Sequence, residues 1–150
     1  MLTATQRTQI IAILDAAADL TIATNRPDGY PQATTVSFVN DGAKIYFGTG
    51  AQAQKAQNIA RDPRVSIAIT DPYKSWDDIK GVSIGGRARR VTEPEEFRRV
   101  GELVLKKFPQ IAQYADFTTG AELALFRVDP EVISILDYSK GFGSTELAKA

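Results

Sequence analysis

Residues 32–40, with the turn Asn40-Asp41-Gly42 and residues 44–47 behind them, restrict the fold of this chain more than any other stretch. Thr34, Val36 and Phe38 alternate with Thr35, Ser37 and Val39. That period of two gives a strand one face to bury. Asn, Asp and Gly tolerate the backbone of a tight reversal, so the strand folds back on its successor as a hairpin.

The other segments fall around that hairpin. Residues 5–18 carry Ile10, Ile11, Leu14, Ala17 and Ala18 at helical spacing, which predicts an amphipathic helix. A short strand is expected over 20–25, closed by the turn cluster Arg26-Pro27-Asp28-Gly29. A second helix carries Lys55 and runs to Arg61, where Asp62-Pro63 stops it. The β-branched run 65–70 reads as a buried strand. Residues 71–80 form a polar loop holding the only tryptophan, Trp76. Residues 81–92 read as a longer strand, with Gly85-Gly86 marking a bulge or sharp bend. A third helix starts near Thr92 with acidic residues in its first turn and continues through Val100, Leu103, Val104 and Lys107. After a loop near 109–120, strands are expected at 121–128 and 132–136, broken at Asp129-Pro130, and then a tail 137–143 with turn chemistry. Six or seven strands, with helices set apart rather than alternating, predict one α+β domain over residues 1–150: a mostly antiparallel barrel with flanking helices.

Composition prunes the chemistry. Apolar residues make up 43% and charged residues 24%, too polar for a membrane span. The 18 basic and 18 acidic side chains cancel, so no electrostatic case exists for a nucleic-acid or anionic-membrane partner. The chain has no Cys and no His. That removes thiolate nucleophiles, zinc-thiolate and iron–sulfur sites, imidazole bases and histidine-ligated metals. Either the protein binds without reacting, or a cofactor supplies the reactivity. The Met1 end lacks a basic region followed by an apolar core, and the expected location is the cytoplasm.

One junction offers a binding site. Tyr46-Phe47-Gly48-Thr49-Gly50 reads as a strand that ends in small residues and opens onto a helix through Ala51-Gln52-Ala53-Gln54-Lys55. Unpaired N–H groups and the dipole at a helix start favour an anion. Gly48 and Gly50 let a ligand approach the backbone, and Thr49 adds a hydroxyl, either as ligand or as helix N-cap. Lys55 is then a phosphate ligand, the alternative being a solvated lysine on an ordinary helix. Trp76 is a stacking group over a planar ring or a loop anchor. Arg87 and Arg89 share a strand face and either meet an anion or form a solvated outer face. Tyr138 and Lys140 belong to a surface tail or close over a ligand, and Asp77-Asp78 reads as a solvated loop rather than a metal pair.

The order of these segments, with Ile45–Thr49, the six-residue step from Thr49 to Lys55, residues 58–65 and residues 82–90 around Gly86, resembles the pyridoxamine 5′-phosphate oxidase-like, FMN-binding split-barrel family over residues 8–137. The resemblance implies a split barrel and a homodimer with FMN in the clefts between subunits. It puts the phosphate-binding lysine on Lys55, a neighbouring polar position on Gln54, and a phosphate or ribityl contact on Thr49 beside Gly48. The strand along the flavin ring falls on Thr34, Thr35, Val36 and Ser37. The true oxidases carry an arginine and a lysine on that strand where this chain has Ala33 and Phe38, and a glutamine where it has Gly81. Their substrate-binding His is absent, and so is the histidine of the haem-degrading relatives. The resemblance therefore implies an FMN-dependent oxidoreductase of unknown substrate that is not a true pyridoxamine phosphate oxidase. Two rivals stand beside it: an F420-dependent reductase, with Arg87, Arg89, Lys74 and Lys80 as a basic path, and a non-catalytic flavin binder.

Overall fold

In the computed structural model, which describes residues 1–114 and 123–150, the hairpin sits inside a closed barrel. The strands are β1 (Asp19–Asn25), β2 (Pro31–Asp41), β3 (Lys44–Gly50), β4 (Arg64–Thr70), β5 (Lys80–Arg90), β6 (Leu123–Asp137) and β7 (Thr145–Lys149). The helices are α1 (Ala4–Ala16), α2 (Gln54–Arg61) and α3 (Pro94–Lys107). All pairings are antiparallel, in the order β3-β2-β1-β4-β5-β6-β7, and β3 also pairs with β6, which closes the barrel and leaves β7 outside it. The expected α+β split barrel is what forms.

Local chemistry accounts for most element ends. Thr3 caps α1 in a capping box with Gln6. Pro94 opens α3 at its first position, where a missing N–H costs nothing. The hairpin loop is Gly42-Ala43, between the paired Asp41 and Lys44; Gly42 takes φ 59, which suits the first position of a type II′ turn. Helix α1 buries Ile10, Ile13 and Leu14 against the barrel, so Ile13 takes the place expected for Ile11, and Ala18 is exposed. Strand β4 is half-buried rather than buried: Val65, Ile67 and Ile69 point inward while Ser66, Ala68 and Thr70 face out.

The largest departure from expectation is β6. It runs unbroken for 15 residues through Asp129-Pro130 instead of forming two strands. On one side it pairs with β3 up to Val128, and on that same flank β7 pairs only from Val132. Pro130 falls in the gap, where a missing N–H breaks no ladder bond. On the other side the register with β5 slips between Gly85 and Gly86, the bulge anticipated there. A Cβ on Gly86 would lie 2.5 Å from the Asp129 carbonyl oxygen. Gly86→Ala is therefore expected to destabilise the fold by about 1–3 kcal/mol in urea titration, because backbone must move to admit it. Strand β7 was not anticipated; it follows the tail, whose residues Tyr138–Lys140 form a short 3-10 turn. Residues 115–120 of the expected loop and 121–122 of the expected strand lie outside the described residues.

Helix α3 lies on the barrel's outside, and polar contacts fix both its ends. Near its start, the buried Tyr46 hydroxyl donates to Glu96 (3.0 Å), and so does Arg127 (3.1 Å). Burial, and then the bond to that carboxylate, push the Tyr46 phenol up. At the other end Lys107 Nζ donates to the carbonyls of Ala17 (2.7 Å) and Phe38 (2.9 Å) and stands over the Phe38 ring. Burial holds the Lys107 ammonium below its ordinary range, against the nearby carboxylates of Asp15 and Asp19. The unfolded chain then binds more protons than the folded one between the two values. Stability contributed here therefore rises with pH across the alkaline window below about 10.4. Urea titrations of wild type and Lys107→Met should diverge as pH climbs through that window, with wild type gaining.

Candidate functional site

The barrel is split beside the hairpin. Strands β2 and β3 pair only from Phe38–Phe47 to Asp41–Lys44. Residues 31–37 of β2 then pair with β1 alone, and residues 48–50 of β3 with β6 alone. The two edges left unpaired against each other carry Thr34, Thr35, Val36 and Ser37 on one side and Gly48, Thr49 and Gly50 on the other. Thr34 and Val36 point toward the interior and are half-buried, while Thr35 and Ser37 are exposed. Thr34 Oγ1 is buried without a hydrogen-bond partner among the described residues. A buried hydroxyl left unpaired is costly unless a ligand or water meets it. Ser37 Oγ donates to Asp19 (2.8 Å).

Helix α2 follows β3 after Ala51-Gln52-Ala53. Its N-cap is Ala53, which has no side-chain cap bond. Thr49 is thus not the cap: it lies in β3 opposite Ala124, half-buried. Lys55 is the second residue of the helix rather than a full turn in, and no acidic residue shares its first turn. It is half-buried and has no ion-pair partner among the described residues. The first-turn amides, an uncompensated lysine and two exposed glycines therefore share one junction, an arrangement suited to an anion.

A buried amide network holds α2 in place. Asn58 is fully buried and donates to Thr24 Oγ1 (3.0 Å) and Gln32 Oε1 (3.3 Å). It accepts from Gln54 Nε2 (2.8 Å). Gln54 therefore spends one amide N–H on the helix's own support. Ala56 and Ile59 bury beside Asn58 in the main core. Sequence reasoning singled out neither Asn58 nor Thr24; Asn58 shares the face of α2 with Gln54 rather than with Ala56, so no apolar stripe marked it.

Other expected groups stand elsewhere. Trp76 belongs to a 3-10 turn between β4 and β5, at the end of β4 opposite the one α2 leads into. The residue is 66% exposed, and its ring packs on Phe142 of the tail, which also meets Tyr138. Within the chain Trp76 is not brought to Lys55. Arg87 pairs with Glu131 (2.8 Å), and Arg89 with Asp129 (3.3 Å), on the outer face. No metal-ligand cluster occurs among the described residues, Asp77 and Asp78 included. No helix among them is long and apolar enough to cross a membrane.

A cavity of about 410 Å³ opens between α3 and strands β2, β3 and β6. Phe38, Phe97, Phe108, Ile111 and Leu125 supply much of its wall, and Ser37 and Gly48 bring it to the split. No charged side chain is among the described residues that line it.

The family model for pyridoxamine 5′-phosphate oxidase matches residues 8–137. The chain belongs to the pyridoxamine 5′-phosphate oxidase family. Solved structures agree on the fold. The conserved hypothetical protein Rv2991 from Mycobacterium tuberculosis is similar over 100% of this chain and 93% of its own, at 27% identity and TM-score 0.78. A heme binding protein from Mycobacterium smegmatis gives TM-score 0.80 at 22% identity over 99% of this chain, which spans only 59% of that longer one. The heme storage protein HutZ from Vibrio cholerae gives 0.66 at 22% identity, covering 83% of this chain and 89% of its own. No curated protein matches. This member of the pyridoxamine 5′-phosphate oxidase family thus shares the barrel and holds Ala33 and Phe38 on β2.

Proposed function

We propose that the protein binds FMN and works as an oxidoreductase, with the phosphate held at the start of α2. The observation that carries this reading is Lys55, half-buried beside uncapped first-turn amides with no ion-pair partner among the described residues. The residues present fit the group. The orphaned Thr34 hydroxyl and the unpaired edges of β2 and β3 suit the polar rim of a flavin, and Gly48 and Gly50 leave backbone exposed near a ribityl phosphate. Bound FMN supplies hydride or electron transfer. The chain's own part is to hold the phosphate through Lys55 and Thr49 and to lay β2 along the ring.

A homodimer is part of the same reading. The register aligns Thr35, Thr21, Ala68 and Ser83 in one outward row, and Ala33, Ala23, Ser66 and Gly85 in the next. Two such uncharged rows of small side chains let a second copy approach closely. Trp76 and Gln54 enter this reading differently: Gln54 orders α2, and Trp76 reaches a flavin only from a second copy. FMN is favoured over F420 because Arg87 and Arg89, half of the basic path a long acidic tail would need, are engaged by Glu131 and Asp129. Haem is disfavoured because the chain has no His and no Cys, which leaves only Tyr or Met as axial ligands.

The purified protein, as isolated or after incubation with FMN and removal of excess, should show the two visible absorption bands of an oxidised flavin. A sample that stays colourless rejects the reading. Bleaching of those bands by NADH or NADPH in stopped flow separates an oxidoreductase from a passive binder.

A further inference from the structure

We infer that the cavity beneath α3 is the subsite for a neutral, largely apolar, ring-sized ligand: the substrate class of the flavin site proposed above, on which this inference rests. At about 410 Å³ the space lies within the range of ligand sites. Its described walls are aromatic and aliphatic, with Ser37 and Gln110 among the few polar side chains. Charged groups bordering those walls are engaged, Asp19 by the Ser37 hydroxyl among them. Glu96 receives Tyr46 and Arg127, and Lys107 turns its ammonium onto two backbone carbonyls behind Phe38. A charged ligand would therefore shed its hydration and find no free counter-charge among the described walls.

Gly101 gives the second, independent observation. It lies inside α3, lines the cavity, and a Cβ built on it meets nothing within 4 Å. Glycine in a helix interior is unfavourable relative to alanine. No close approach among the described residues requires it, and what its missing side chain preserves is the open space. Ser37 and Gly48 line the same cavity and border the split, so a ligand there would sit beside the strand assigned to the flavin ring.

The test titrates the neutral fluorescent probe N-phenyl-1-naphthylamine into wild type, Gly101→Leu, Val104→Phe and Lys55→Gln, with FMN affinity measured in parallel. Saturable uptake is expected in wild type and in Lys55→Gln. Gly101→Leu and Val104→Phe, which fill the space from α3, should weaken the probe at least about tenfold. Both should melt cooperatively, with Gly101→Leu no lower than wild type, and keep FMN affinity. 1-Naphthol should displace the probe where 1-naphthoate does not. Lack of saturable uptake by wild type overturns the assignment. So does full retention of the probe by both folded variants, or equal displacement by naphthoate. Probe uptake without FMN binding by wild type removes the flavin reading alone and leaves the apolar subsite.

Discussion

Replacing Lys55 with glutamine should weaken FMN binding roughly 10- to 150-fold, the equivalent of one hydrogen bond to a charged group at about 1.5–3 kcal/mol. The substitution keeps an unbranched polar side chain, one atom shorter, at a half-buried position, so the fold should persist. What is lost is the cation. The first-turn amides of α2 remain and account for residual affinity, since they carry only the partial charge of the helix terminus. Lys74→Gln, in the exposed loop before β5, serves as the control and should leave affinity unchanged. Quenching of flavin fluorescence reads both. If Lys55→Gln binds FMN as wild type does, the phosphate is held elsewhere and the junction is ordinary structure.

Asn58→Ala should cost about 2–4 kcal/mol of stability, seen as a melting temperature lower by about 5–15 °C. The cost exceeds a single hydrogen bond because three partners lose their counterpart: Thr24, Gln32 and Gln54. Asn58 is fully buried, so water does not readily replace it. A double-mutant cycle with Thr24→Val sharpens the test. The combined loss should fall short of the sum of the single losses, because the second substitution removes a hydroxyl already orphaned by the first. Additive losses would mean that the two side chains do not act together.

The contrast between these two residues reflects what a sequence can carry. Lys55 could be proposed from the sequence because its signal is local: strand, small residues, helix, cation. The hairpin turn, the Asp62-Pro63 stop and the bulge at Gly86 were legible for the same reason, each being written in a few consecutive residues. Asn58 was not, since its partners Thr24 and Gln32 are brought to it by folding from other strands. Pro130 misled for a related reason. Proline interrupts a strand only if its absent N–H is owed to a neighbour, and the missing neighbour on that flank of β6 is a property of the sheet. Arg87 and Arg89 could be placed on one face from spacing alone. That Glu131 and Asp129 neutralise them follows from the register of β5 with β6.

By itself the sequence determined the alternation that makes a barrel, the family to which that barrel belongs, and the exclusion of imidazole and thiolate chemistry. These are matters of residue type and short-range order, and no fold could alter them. Only the tertiary structure decided that β3 closes onto β6, that β2 and β3 part beyond Phe38 and Phe47, and that α3 stands over a hollow whose described walls carry no charge. Each of those depends on contacts between residues far apart in the chain. Burial and pairing at such distances depend on where the chain brings its segments together, which no short stretch records.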